Sequence, residues 1–248
     1  MYSFGKLISQ IALRGNSLTI RTESKSCSSQ YCKQTIDWQD DLSGKRYQIA
    51  SEYDASREGK YTRFHIMELS DTIDLREGSI VLDVACGNGT LLRELSKKAK
   101  IQANGIDISE NMIHAAKARY PYMNFEVSPC YPLKWSDESV DIITVCCAFH
   151  HFDHPQGFVS ECKRILKKNG IVYLAEPNFG AIIRFFANKF WIPFSKSGDV
   201  KIYNKKELET IFYHCGFKTV QIYAKDKGVF LKAKDIDKTV ESDYNCNT

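Results

Sequence analysis

The segment VLDVACGNGT, residues 81–90, constrains this chain more than any other part of it. It ends a short apolar run, SIVLDVA, of the kind that forms a strand buried on both faces. Gly87 and Gly89 then allow a tight turn and a close backbone approach to a ligand. The helical pattern from Thr90 to Lys100 aims its first amide groups into the same space. Such a strand, glycine turn and helix make a loop suited to a nucleotide-like cofactor. A nicotinamide fingerprint asks for a third glycine, and Leu92 stands in its place.

The same alternation continues downstream. Gln102 to Ile108 reads as a strand, Glu110 to Arg119 as a helix capped by Ser109, and Phe125 to Val127 as a short strand. Val140 to Cys147, Phe158 to Leu166 and Gly170 to Glu176 follow as strand, helix and strand. Strands and helices in this order indicate βαβ units, so the fold class is α/β with a doubly wound parallel sheet. Asn204 caps a helix expected over Lys205 to Cys215, stopped by Gly216. Phe217 to Tyr223 and Val229 to Ala233, joined by Lys225 to Gly228, read as an antiparallel terminal pair. Before the core, Asp37 to Leu75 shows helical spacings that predict two helices.

Two acids narrow the ligand. Asp83 lies inside the strand before the loop, where a carboxylate repels a pyrophosphate but accepts hydrogen bonds from an ammonium group or its water shell. Asp107 ends the next strand, placed to accept both hydroxyls of an adenosine ribose. Ile108 and Met112 offer apolar contact to the adenine faces. The implied ligand is an adenosine that carries an amino-acid moiety and no phosphate.

These residues resemble the class I S-adenosylmethionine-dependent methyltransferases, in the subgroup that includes the ubiquinone and menaquinone biosynthesis enzymes. The resemblance covers about residues 45–234 and rests on VLDVACGNGT, on the GIDIS segment with Asp107 and Ile108, and on WSDESVDIITVCCAFHHF and RILKKNGIVYLAEPN. It implies S-adenosyl-L-methionine as cofactor and a Rossmann-like sheet of seven strands, mostly parallel, with the last antiparallel. It also implies cofactor contacts from Asp83, Ala85, Gly87, Asn88, Gly89, Asp107, Ile108 and Met112. One departure stands out. Relatives carry Gly-Asp-Ala before the fourth strand, with the acid on the adenine amino group, and here those positions are Ser128, Pro129 and Cys130. Backbone groups around Cys130 must then meet the adenine edge, with about 0.5–1.5 kcal/mol lost for one ordinary hydrogen bond.

Methyl transfer from a sulfonium is an in-line displacement that needs alignment and exclusion of water, and a base only when the nucleophile must shed a proton. His150 and His151 follow the fourth strand at the end of the sheet where ligands of such folds bind, and either is a candidate base or a structural histidine. Tyr47, Tyr53 and Arg63 fall in a segment that resembles the family's N-terminal lid. Arg63 is a candidate partner for the methionyl carboxylate or a solvated surface charge, and Tyr53 a candidate closure over the cofactor. FGAIIRFFANKFWIPF, residues 179–194, carries a dense aromatic group. It is either a helix packed on the sheet or a cap for a small apolar or aromatic acceptor, and Lys189 and Lys196 allow peripheral membrane contact there.

Composition sets the outer limits. Thirty-four basic against 30 acidic residues leave a net charge of +4, which disfavours a bulk polyanion partner, so no specific nucleic acid is expected. No apolar run is long enough for a membrane span. Nine cysteines without a CxxC pair argue against zinc and read as small buried hydrophobes in a reducing compartment, with Cys86 in the loop the one of interest; no metal is expected. Residues 1–45 form an extension whose first 22 residues hold no acid, either loosely attached or a transit peptide. Residues 46–234 form the domain and 235–248 a polar tail. The expected location is cytoplasmic, or the mitochondrial matrix if the leader is a transit peptide, and the expected state a monomer or homodimer. The competing functional readings are an RNA or protein methyltransferase and a non-catalytic cofactor-binding protein.

Overall fold

The computed structural model describes residue 54, residues 56–194 and residues 199–235. Tyr47, Tyr53, the extension before them, Lys196 and the tail beyond residue 235 lie outside the described residues, as does the first of the two N-terminal helices.

Five strands are laid down in parallel. They are β1 (Ile80–Val84), β2 (Gln102–Asp107), β3 (Asn124–Val127), β4 (Val140–Cys146) and β5 (Leu166–Pro177), and β6 (Thr219–Lys225) and β7 (Gly228–Lys234) complete the sheet. The order is β3-β2-β1-β4-β5-β7-β6. β7 runs antiparallel to both β5 and β6, as the sequence reading expects of the last strand. Lys225 pairs with Gly228 across a two-residue turn in which Asp226 is left-handed (φ 48°).

The helices are α1 (Arg57–Thr72), α2 (Thr90–Ser96), α3 (Glu110–Arg119), α4 (Pro155–Ile165), α5 (Ala181–Phe186) and α6 (Lys205–His214). Apolar residues of α1, α2 and α3, among them Leu69, Leu92 and Ala116, pack with Val81 and Phe125. Phe158 and Cys162 of α4 and Leu208 and Phe212 of α6 pack with Ile143 and Val172 in a second cluster. β1 is buried along nearly its whole length because helices cover both faces, which is why it reads as an unbroken apolar run. Truncating a fully buried phenylalanine such as Phe158 costs about 3–5 kcal/mol in a core of this kind.

Local caps fix several boundaries. Ser109 accepts from Met112 N, and Asn204 and Glu207 form a reciprocal capping box at the start of α6. α2 stops at Ser96 rather than running to Lys100, because the chain must turn to enter β2 at Gln102. β5 begins earlier than Gly170. Leu166 pairs with Val140, the ladder then bulges, and regular pairing resumes at Ile171 beyond a left-handed Asn169 (φ 70°).

Candidate functional site

The carboxyl ends of β1, β2, β4 and β5 converge on one edge of the sheet, where open α/β folds bind ligands. The glycine loop lies at the end of β1. Ala85, Gly87 and Gly89 all have positive φ, at 58°, 53° and 80°. The two glycines are required for different reasons. A Cβ on Gly89 would stand 2.8 Å from Phe125 Cζ, whereas one on Gly87 would meet no protein atom within 4 Å. Gly87 therefore faces open space beside the sheet edge, which leaves its backbone accessible to a ligand.

Asp107 supports this loop directly. Gly87 N donates to Asp107 Oδ2 and Ser109 N to Oδ1, each at 2.8 Å. Each carboxylate oxygen keeps further acceptor capacity, as an acid holding a ribose diol needs. Burial raises the Asp107 pKa, although the backbone donors Ser109, Gly87 and Ile108 act in the opposite direction. Next to it Ile108 is 65% exposed and Met112 half-buried, an apolar ledge for a planar group. Ser128 N donates to the Asp107 carbonyl at 3.0 Å, which carries the Ser128-Pro129-Cys130 segment to the same edge. Burial pushes the Cys130 thiol up to about 11, so it stays neutral.

Asp83 is almost fully buried, and Thr144 Oγ1 of β4 donates to its Oδ1 at 2.7 Å. Burial raises its pKa to about 7, with Thr144 acting against the rise and the negative charge of Asp107 adding to it. A carboxylate in this position gains from a nearby ammonium, which would favour its charged form.

Asn88 is engaged within the loop: its side-chain Nδ2 donates to Asp54 Oδ1 at 3.1 Å, and Oδ1 accepts from Thr90 Oγ1 at 2.7 Å. Asp54, which carried no sequence signal, also takes Arg119 of α3 at 2.8 Å. Burial would raise the Asp54 pKa, but hydrogen bonds from Asn88 and Arg119 hold it below the usual carboxylate value. The segment before α1 is thereby tied to the glycine loop through Asp54. Arg63 is exposed on the outer face of α1 with Met67 and Asp71, and among the described residues it makes no hydrogen bond to the loop.

A second group of side chains stands at the ends of β4 and β5. After β4 a 3₁₀ turn, Phe149–His151, is anchored by the buried Phe149 ring against Phe152, Phe158 and Tyr203. Glu176 of β5 holds the turn with both oxygens. Oε1 accepts from Phe149 N at 2.9 Å, and Oε2 lies 2.6 Å from His150 Nδ1. Burial alone would lower the His150 pKa, but Glu176 overrides it and raises the value to about 9. Asp199 is brought in from the far side. Its neighbours Val200 and Lys201 donate backbone amides to the His150 carbonyl, and its Oδ1 lies 3.3 Å from His151 Nδ1. The two histidine rings stand 4.1 Å apart.

The strand reading of WSDESVDIITVCCAFHHF reaches the histidines but misses Glu176 and Asp199. An acid closing an otherwise apolar strand, LAEP, was a usable signal for Glu176; nothing local marks Asp199. It also misses Cys147. This residue is left-handed (φ 53°), and a hydrogen bond from Cys146 brings its pKa down to about 7, against burial and with help from His65 of α1. Cys86, the one singled out beforehand, is a buried neutral thiol raised well above its usual value by burial.

Residues 82–174 match the family model described as Methyltransferase domain. This stretch of the chain is similar to methyltransferase domains. The demethylmenaquinone methyltransferase of Thermotoga maritima is 36% identical over 133 residues, which cover 50% of this chain and 58% of that protein. Across the curated relatives it matches, the chain spans about half their length or less, for example 46% of a Campylobacter jejuni C-methyltransferase. Among solved structures, the putative methyltransferase from a Haloferax volcanii complex with the Trm112 activator superposes with a TM-score of 0.64 at 18% identity, covering 76% of this chain and 96% of that one. A Haemonchus contortus phosphoethanolamine N-methyltransferase in complex with S-adenosyl-L-methionine gives 0.60 at 15% identity, covering 78% of this chain and 58% of that one. At such identities these two matches show the fold alone.

The aromatic segment of the domain is not packed on the sheet. It forms α5, a π turn at Ala187–Trp191 and a 3₁₀ turn at Ile192–Phe194. Ile182 is 75% and Phe194 83% exposed, and Phe185, Phe186, Phe190 and Trp191 are each about half exposed, with Ile192 the one buried residue among them. Asn188 pins the segment by a two-way amide pair with Ile202, at 2.9 Å in each direction. Lys189 lies over the Phe185 and Phe190 rings at 5.5 and 5.4 Å. No helix among the described residues is long and apolar enough to cross a membrane.

Proposed function

We propose that this chain binds S-adenosyl-L-methionine on the loop between β1 and α2 and transfers its methyl group to a small, apolar or aromatic acceptor. The supporting observation is the pairing of Asp107 with Gly87 N at 2.8 Å beside an unobstructed glycine. The cofactor supplies an activated methyl group on a sulfonium. Asp107 takes the ribose hydroxyls, Ile108 and Met112 flank the adenine, backbone around Cys130 meets its edge, and Asp83 faces the ammonium end. Asn88 acts by shaping the loop, and Tyr53 and Arg63 are candidates for closure from the N-terminal side.

The acceptor lies on the β4–β5 side, before His150 and His151. Within the cluster formed with Glu176 and Asp199, His151 is the base that would take a proton from the nucleophile, since Glu176 holds His150 in its charged form. The exposed rings of residues 182–194 flank this side. They would hold an apolar acceptor, and with Arg184 and Lys189 and no acid between residues 178 and 194 they would also rest on an anionic membrane surface.

Calorimetric titration with S-adenosylhomocysteine, run alongside label transfer from methyl-labelled cofactor into a cell extract, tests this reading. Saturable binding and one labelled small molecule are expected. No heat at millimolar ligand would overturn it, and label in RNA or protein alone would move the acceptor to another class.

A further inference from the structure

The geometry points to a divalent transition-metal site formed by His150 Nε2, His151 Nδ1 and Asp199 Oδ1. Asp199 Oδ1 lies 3.6 Å from His150 Nε2 and 3.3 Å from His151 Nδ1, and one ligand atom from each of the three residues falls within 4.8 Å of the others. Two donors each about 2.1 Å from a tetrahedral ion stand roughly 3.4 Å apart, close to both of these separations. Two imidazoles and one carboxylate form a donor set that suits zinc, iron or cobalt in the divalent state and leaves a coordination position open.

The surroundings are those of a ligand site as well. Glu176 is on the other ring nitrogen of His150, 2.6 Å from Nδ1, so it fixes ring orientation and turns Nε2 toward Asp199. A carboxylate in this position is the usual support of a metal-bound histidine. The three donors are held by backbone as well as by one another. The turn carrying both histidines is anchored by Phe149, and the residues after Asp199 bond to the His150 carbonyl.

The catalytic role of the ion rests on the methyltransferase reading; its binding does not. Held at the acceptor side, the ion would take an oxygen of the acceptor into its open position and lower the pKa of a hydroxyl there, the proton passing to water. The acceptor class is then one with a hydroxyl or enol oxygen beside the methylated atom.

The test uses purified full-length chain stripped with chelator, titrated with Co2+ and followed by its visible absorption, with Zn2+ as competitor. One equivalent of Co2+ with four-coordinate visible bands, displaced by Zn2+, is expected. His151→Ala and Asp199→Ala should each weaken binding at least tenfold, while thermal unfolding and S-adenosylhomocysteine affinity stay near wild type. Binding absent at micromolar Co2+, binding unchanged in both variants, or an intense near-ultraviolet thiolate band reporting Cys146 or Cys147 as ligand would each overturn the proposal. Loss of cofactor binding in the unsubstituted chain would sink the methyltransferase reading and leave the ion site standing.

Discussion

Glu176 Oε2 lies 2.6 Å from His150 Nδ1 while Oε1 of the same carboxylate accepts from Phe149 N at 2.9 Å, so one buried acid at the end of β5 fixes the turn that follows β4. Removing it leaves a buried backbone donor and a buried imidazole without their acceptor. Glu176→Ala is therefore expected to destabilise the fold by about 3–5 kcal/mol, and Glu176→Gln by less. Urea unfolding checks this, and a loss under about 1 kcal/mol would show that water replaces the carboxylate freely.

Asp107 has two roles that a pair of substitutions separates. Asp107→Asn keeps an oxygen for one loop amide and should leave the fold largely intact, yet lower S-adenosylhomocysteine affinity at least tenfold, about 1.4 kcal/mol. Asp107→Ala also strands Gly87 N and Ser109 N, and should cost about 1–3 kcal/mol of stability in addition. Calorimetry and thermal unfolding on the same samples read the two effects. Undiminished affinity in both variants would mean that the ribose is held elsewhere.

The two loop glycines should behave differently. Gly89→Ala combines a left-handed φ of 80° with a Cβ 2.8 Å from Phe125, and should destabilise by about 2–4 kcal/mol. Gly87→Ala meets no neighbour, so its stability loss should stay near 1 kcal/mol, from backbone conformation alone. Its main effect should be on ligand binding, because the added methyl enters the space the ligand needs. Equal stability losses would contradict the placement of Phe125.

Asp83 makes stability depend on pH. Burial raises its folded-state pKa to about 7, against about 3.9 for an ordinary aspartate in the unfolded chain. Between these values the folded chain holds a proton that the unfolded chain has lost. This group's contribution to stability therefore falls as pH rises from about 4 to about 7, and is level above that. Asp83→Asn removes the dependence, so relative to wild type the variant should gain up to about 4 kcal/mol across that interval. Urea unfolding of both proteins at several pH values measures the difference, and parallel curves would show that Asp83 is charged throughout.

The exposed aromatic segment predicts little stability cost. Replacing Phe185, Phe186 and Phe190 by Ser removes side chains that are already half exposed, and each change should stay within about 0.5 kcal/mol. Sedimentation with vesicles containing anionic lipid should show binding for the wild-type chain and a loss of it in the triple variant. Equal sedimentation of both proteins would leave the segment an acceptor cap alone.

Much of this protein is legible locally. The apolar run of β1, the glycines after it, Ser109 and Asn204 as caps, and the position of Asp107 all follow from spacing and backbone chemistry within a few residues. Each then appears in the structure where the spacing puts it. The aromatic segment was ambiguous for a physical reason. Apolar residues around most of a helix are equally suited to a core or to an external apolar partner, and the pattern does not contain the partner.

What the sequence by itself determined is therefore the alternating α/β plan and the loop at its first turn, because both arise from contacts between near neighbours. What only the tertiary structure decided is convergence. Asp54 meets Asn88, Asp83 meets Thr144 across two strands, and Glu176 and Asp199 meet the histidine pair. Those meetings depend on strand order and on where each connection re-enters the sheet edge. Burial then gives Asp83 and His150 protonation behaviour unlike that of the free residues.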